Sequence, residues 1–262
     1  MYKVSMKMVD ILNQIKFKKE KLDKFRPLTS EQVKNLKKLY DTELTYNSNA
    51  IEGSTLTYSE TKLILNEGIT IGGKTINEHL EAINHKEAID FIEDLALSKT
   101  YQLTLQDIKN LHYLILKSIN TKEAGIYRTK PVGVVKSDGK IYHFTDPLKI
   151  EEKMQEFIAW LNDAKEIEPI KLATLTHLKF VTIHPFIDGN GRTARLLMNL
   201  ILLQNGYPHV IIKVSSRVRY IQSIEKAQQN GDFKDFYKFV LESANESLDF
   251  YLEILESGVE LI

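Results

Sequence analysis

Eight stretches of this chain carry apolar residues at three- and four-residue spacing, and nothing else in it constrains the fold as strongly. They are Val9 to Leu22, Val33 to Leu44, Leu80 to Leu97, Leu105 to Ile119, Ile150 to Leu161, Leu172 to Ile183, Ala194 to Leu203 and Phe236 to Leu255. That period lines side chains along one face of a helix, where a half-buried strand would alternate. Thr29-Ser-Glu-Gln32 and Thr104-Leu-Gln-Asp107 read as helix starts, the first a full Thr-x-x-Gln capping box. Within Leu105 to Ile119, the residues Ile108, Leu111, Leu114 and Ile115 share a face and read as core. The predicted class is all-α. No Pro-, Gly- or Ser-rich linker divides the chain, and it has no internal repeat. Residues 1–75 are expected to form a helical N-terminal region packed on residues 76–262, within one continuous globule.

One segment departs from the helical period. Lys130-Pro-Val-Gly-Val-Val-Lys136 and Lys140-Ile-Tyr-His-Phe-Thr145 are short β-rich runs on either side of Ser137-Asp138-Gly139. Asp-Gly is a favoured hairpin turn, so a single small β-hairpin is expected. Such a hairpin is marginal alone. It is either a surface ornament or a strand edge that an extended peptide joins.

Composition removes several function classes. Lys+Arg and Asp+Glu are both 35, so there is no basic excess for nucleic acid. Lys16 to Lys21 reads as a solvated helix face. The most apolar run, Leu196 to Leu203, is too short to span a bilayer and contains Asn199. The first 26 residues lack the apolar core of a secretion signal. Cysteine is absent, which excludes disulfides and thiolate zinc sites and suits a reducing cytosol. The expected location is cytoplasmic, with no membrane and no nucleic-acid partner.

The chemistry concentrates in His184-Pro-Phe-Ile-Asp-Gly-Asn-Gly-Arg-Thr-Ala-Arg195. Pro185 disfavours helix in the residue before it, so a helix ends near Ile183. A second resumes at Asn190 or Gly191. Gly189 and Gly191 permit backbone angles that turn successive N–H groups inward at a helix N-terminus, where the dipole favours anions. Arg192 and Arg195, at i and i+3, face one side and suit two or more phosphates. Cations at a helix N-terminus cost up to about 1 kcal/mol, which a bound polyphosphate would reverse. Asp188 is placed to hold Mg²⁺ against phosphate oxygens. His184, with an unperturbed pKa near 6.5, suits a proton acceptor. Together these residues are equipment for attack on a phosphate. No Gly-Lys-Ser/Thr follows, so this is not a Walker A loop, and the preceding helix argues against a Rossmann turn. His177 and His184 lie seven apart, and a His177/His184/Asp188 metal site is a rival arrangement. It leaves both arginines and both glycines unexplained. His79, His85, His112, His143 and His209 read as structural or exposed. A second group of residues, Asn47-Ser48-Asn-Ala-Ile-Glu52-Gly53, looks like a helix end with Gly53 just past it. Ser48 and Glu52, at i and i+4, project from one face.

Position for position, residues 184 to 195 resemble the signature of the Fic domain, His-x-Phe-x-Asp/Glu-Gly-Asn-Gly-Arg-x-x-Arg. The resemblance extends to Gly125-Ile-Tyr-Arg128, His177, Gly206-Tyr-Pro208, Arg217, Tyr220 and Gly231-Asp232. It implies a Fic-type helical bundle with one β-hairpin flap. It implies transfer of AMP from ATP to a Ser, Thr or Tyr hydroxyl of a protein, with release of pyrophosphate. On that reading His184 is the base and Asp188 holds Mg²⁺. Gly189, Asn190 and Gly191 hold the α- and β-phosphates, Arg192 the β side and Arg195 the γ-phosphate. Phe186 anchors the loop, and Asn199 and Tyr220 are candidates for lining an adenine pocket. Related Doc kinases carry Lys at the position of Gly191 and lack the second arginine, which favours AMP transfer here. Ser48, Glu52 and Gly53 resemble the inhibitory motif Ser/Thr-x-x-x-Glu-Gly/Asn that lies N-terminal to the domain in one class. The resemblance then implies a salt bridge from Glu52 to Arg195 in place of the γ-phosphate. In some relatives the same Glu positions a water that removes AMP. The implied partners are a target protein at the 130–145 hairpin, the chain itself by auto-modification, and a second copy in a homodimer. A non-catalytic ATP-binding regulatory module, or transfer of UMP or phosphocholine, are the alternative uses of such a loop.

Overall fold

The computed structural model describes residues 2–136, 139–164 and 166–257, with the side chains of the first helix described from residue 7 onward. Its elements are helices α1 (Tyr2–Asp23), α2 (Ser30–Glu52), α3 (Tyr58–Glu67), α4 (Ile76–Ala96) and α5 (Leu105–Leu116). Strands β1 (Gly133–Val135) and β2 (Ile141–His143) follow. Then come α6 (Ile150–Asp163), α7 (Pro169–Ile183), α8 (Asn190–Gln204), α9 (Arg217–Asn230) and α10 (Lys234–Ser257). The all-α class with one hairpin is what the chain adopts.

Helix starts are chemically explicit. Thr29, Thr57, Thr75 and Thr104 each accept from the N3 backbone N–H, while Gln32, Glu60, Glu78 and Asp107 reach back to the cap. Four reciprocal boxes therefore satisfy orphan donors at the starts of α2 to α5. Helix α1 packs along α10, α2 against α3 and α4, and α7 against α8. One apolar core runs through them from Ile15 to Leu255, with no break between residues 1–75 and the remainder. A small satellite of Leu56, Ile64 and Ala82 lies under α3.

Two helices, α3 and α9, fall outside the eight periodic segments. Helix α3 has ten residues and buries only Thr61 and Ile64 among its side chains. Helix α9 buries Tyr220, Ser223 and Ala227 and packs Ile221 and Ile224 partly buried on the core, so its apolar residues are few and interrupted by polar ones. The hairpin pairs Gly133 with His143, Val134 with Tyr142 and Val135 with Ile141. Its strands are shorter than the β-rich runs. They have little to pack against: Val135 is 72% exposed and Ile141 62%. Of the expected turn, Ser137 and Asp138 lie outside the described residues, and Gly139 has φ 78°. Among the described residues no helix is long and apolar enough to cross a membrane.

Candidate active site

The loop between α7 and α8 is closed by its own side chains. His184 sits at φ 54°, ψ 59°, the left-handed end of α7, with its N–H bonded to the Phe180 carbonyl at 3.0 Å. Pro185 prevents continuation of the helix. Asn190 then reaches back: its amide donates to the Phe186 carbonyl at 2.9 Å and accepts from the Phe186 N–H at 3.1 Å. Phe186 is fully buried and stacks on His112, rings 3.6 Å apart and 1° from parallel. His112 Nδ1 accepts from the Gly125 N–H at 2.9 Å. Its Nε2 therefore carries the proton and donates to the Asp188 carbonyl at 2.8 Å. Burial pulls the His112 pKa down to about 4 and keeps the ring neutral. Gly189 has φ 75°, and a Cβ there would come within 3.1 Å of His112 Nε2. The imidazole is thus a brace under the loop, a role its isolated position in the sequence gave no sign of.

His184 faces the other way. Its Nδ1 lies 3.3 Å from the Val181 carbonyl, which assigns the proton to Nδ1 and leaves Nε2 as the acceptor. Phe144, just beyond β2, stacks on the ring at 3.8 Å and 15°. Arg128 is 3% exposed and clamps hairpin to loop. Its Nε donates to the His184 carbonyl at 2.8 Å, and its other nitrogens to the carbonyls of Lys130 and Thr145. Burial lowers the His184 pKa to about 4, assisted by Arg128 and opposed by the Val181 carbonyl, Glu52 and Asp188. The unperturbed value expected from sequence is shifted because the ring is desolvated. At neutral pH the imidazole is a neutral acceptor.

Arg192 and Arg195, 3% and 5% exposed, project from the start of α8. Arg195 donates from Nε to the Ser48 hydroxyl at 3.0 Å and from Nη2 to the Ser48 carbonyl at 2.9 Å. The same Nη2 lies 2.7 Å from Glu52 Oε1, and Nη1 reaches the Tyr220 hydroxyl at 3.4 Å. Helix α2 ends at Glu52, and Gly53 caps it at φ 107°. A Cβ on Gly191 would lie 2.3 Å from Glu52 Oε1, so the carboxylate fills space that only a glycine leaves open. The end of α2 is tied down by the Val214 N–H to Asn47 Oδ1 at 3.0 Å and by Arg217 Nε to the Ile51 carbonyl at 2.6 Å. Arg192 pairs with Glu81 of α4 at 3.1 Å, a contact no motif announced. Asp188 is exposed; its Oδ1 accepts from the Gly189 N–H at 2.6 Å, and its Oδ2 is 3.7 Å from Arg192.

Three of the expected site residues have their side chains engaged inside the fold. The Asn190 amide is committed to Phe186, and its backbone N–H stands at the first position of α8. Asn199 bridges the Val210 N–H and carbonyl at 2.7 and 3.1 Å, which makes it a packing residue. Tyr220 is 3% exposed and bonded to His177 Nε2 at 2.7 Å. The rival His177/His184/Asp188 metal site does not assemble, because His177 is wholly buried behind Tyr220. Among the described residues the one cluster with metal-like spacing is Asp41, Asp90 and Glu93. The Lys37 ammonium already sits among them at 2.6 to 3.1 Å.

A helix N-terminus and two buried arginines form an anion cradle, with the neutral acceptor His184 in the loop that leads into it. A family model described as the Fic/DOC family matches residues 102–202. A protein named protein adenylyltransferase Fic, from Nematostella vectensis, is 37% identical over 246 residues, covering 93% of this chain and 56% of that protein. The chain spans about half the length of the curated relatives it matches. The solved structure of a Fic domain containing signaling protein from Bacteroides thetaiotaomicron superposes with TM-score 0.87 at 29% identity, covering 93% of this chain and 97% of that one. Fic-1 from Caenorhabditis elegans superposes with TM-score 0.84 at 32% identity, covering 97% of this chain and 76% of that one.

Proposed function

The chain belongs to the Fic/DOC family, and from that premise we propose that it transfers AMP from ATP to a hydroxyl of a protein, held in check by Glu52. What supports this is His184, with Nε2 as its acceptor nitrogen, in the loop that leads into α8, whose first turns carry two buried arginines. Curated relatives at 36–37% identity are named protein adenylyltransferases.

In the proposed reaction the target hydroxyl gives its proton to His184 Nε2 while its oxygen bonds to the α-phosphorus. The bond from that phosphorus to the bridging oxygen of the β-phosphate breaks, and pyrophosphate leaves. The N–H groups at the start of α8 and Arg192 hold the α- and β-phosphates, and Arg195 the γ-phosphate. Asp188, an exposed carboxylate beside the cradle, fits Mg²⁺, which takes one or two carboxylates and fills its shell with phosphate oxygens and water. Bound Mg²⁺ would neutralise charge on the phosphates. Glu52 occupies Arg195, so ATP enters with its terminal phosphate unheld and its α-phosphate displaced from line. An extended stretch of the target pairs along the exposed strands 133–135 and 141–143. The absence of cysteine suits a reducing compartment such as the cytoplasm.

Incubation of the Glu52→Gly chain with α-³²P-ATP and Mg²⁺ tests this. Protein-bound label, lost when His184→Ala is added, is the expected result. No label in the Glu52→Gly chain, with itself and cell extract as acceptors, would overturn it.

A further inference from the structure

Arg192 is held between two carboxylates of unequal standing. Glu81 Oε1 is 3.1 Å from its Nη1, from the second turn of α4. Asp188 Oδ2 is 3.7 Å from its Nη2, too far for a hydrogen bond. Arg192 Nε is buried and has no partner. The Asp188 side chain is 68% exposed, with Oδ1 held by the Gly189 N–H at 2.6 Å and Oδ2 without a hydrogen bond to Arg192, while the Glu81 side chain is 24% exposed. His85, one turn further along α4, is fully buried and kept neutral by desolvation and by both arginines. Charge compensation of Arg192 from α4 thus falls to Glu81.

We propose that Glu81 is the positioning residue for Arg192: it holds Nη1, presents the Nε–Nη2 edge to the nucleotide phosphates, and keeps the guanidinium from closing on Asp188. This rests on reading residues 184–195 as the nucleotide site. A buried guanidinium seeks a carboxylate. Without Glu81 the nearest is Asp188, and a closed Arg192–Asp188 pair would remove the one carboxylate of the loop from a divalent cation. A guanidinium has five donors in a fixed fork, so pinning one nitrogen orients the rest. Helix α4 is 21 residues long with a full capping box, a rigid support for such a contact.

The experiment uses the Glu52→Gly chain as parent and adds Glu81→Ala, Glu81→Gln or Glu81→Asp. Two measurements are made: Mn²⁺ affinity by electron paramagnetic resonance with a non-hydrolysable ATP analogue present, and kcat and KM for labelling. Loss of a supporting partner of this kind costs roughly tenfold or more. Mn²⁺ affinity is expected to weaken about tenfold in Glu81→Ala and Glu81→Gln, and to recover at least in part in Glu81→Asp. Labelling is expected to lose kcat by a similar factor, with KM for ATP within about twofold. Unchanged Mn²⁺ affinity in variants that melt like the parent would overturn the inference. So would a KM rise at constant kcat. If the parent labels nothing, AMP transfer is refuted, and the Mn²⁺ measurement still decides the role of Glu81.

Discussion

Replacing Glu52 with glycine should accelerate the chain far more than it destabilises it. Arg195 retains the Ser48 hydroxyl, the Ser48 carbonyl and the Tyr220 hydroxyl after the change. The Glu52 side chain is 39% exposed, so its ion pair contributes about 1 kcal/mol at most. A carboxylate in the last turn of α2 also opposes the helix dipole by about 0.3–1 kcal/mol, and the substitution relieves that. Glycine in the same turn costs about 0.5–1 kcal/mol. The net loss is about 1 kcal/mol, or roughly 2–4 °C in melting temperature. Against this, a displacement of the α-phosphate by about 1 Å costs about 10²-fold in rate. Initial rates of label transfer from α-³²P-ATP, with thermal melts of the same samples, measure both quantities. The reasoning expects a rise of about 10²-fold with melting lowered by only a few degrees, and a smaller rise in Glu52→Gln. Equal rates in wild type and Glu52→Gly would refute it.

His112, His177 and His184 have pKa values lowered, chiefly by burial, to about 4, 3 and 4. At these three sites the folded chain binds fewer protons than the unfolded one below about pH 6.5, so their contribution to stability falls as pH drops from there towards 4. The slope approaches about 1.4 kcal/mol per pH unit for each histidine, and a melting temperature constant from pH 7 to 5 would contradict it. Because His184 is already neutral, the labelling rate of Glu52→Gly should vary little between about pH 6 and 7.5; an inflection near 6.5 would mean a solvated ring. Arg128→Lys leaves carbonyls of His184, Lys130 and Thr145 short of donors, at about 1–3 kcal/mol for a buried group. Urea titration should show that loss together with at least a tenfold slower labelling rate, since His184 is no longer clamped. His112→Ala removes the brace under Phe186 and should cost about 2–4 kcal/mol by the same titration, whereas a surface histidine would cost almost nothing.

The sequence announced those parts of the site that are local. Residues 184 to 195 are contiguous, and their turn chemistry alone places a helix end, two glycines and two arginines. Helix α2 announced its end through Gly53, and Ser48 and Glu52 share a face by spacing alone. What could not be read is long-range pairing. Glu81 meets Arg192 from 111 residues away, and His112 meets Asp188 from 76. Each is one polar residue on a helix, indistinguishable by period from a solvated or packed neighbour. Helix α9 gives a weak periodic signal because Tyr220, Ser223 and Ala227 share its inward face with only two larger aliphatic residues, Ile221 and Ile224. Helix α3 is too short to show a period, although Thr57 and Glu60 spell out the same capping box seen at Thr29. Asn190 and Asn199 both stand on α8, and the partners of their side chains lie inside the fold. A buried amide satisfies both its donor and its acceptor, and the loop backbone and Val210 supply those partners inside.

The central claim is that the loop at His184 breaks ATP at the α-phosphorus. Parallel incubations of the Glu52→Gly chain with α-³²P-ATP and γ-³²P-ATP test it most directly. Label on protein from the α-phosphate alone, absent in His184→Ala, is the result expected. Label from the γ-phosphate would contradict the claim and make the same cradle a kinase site.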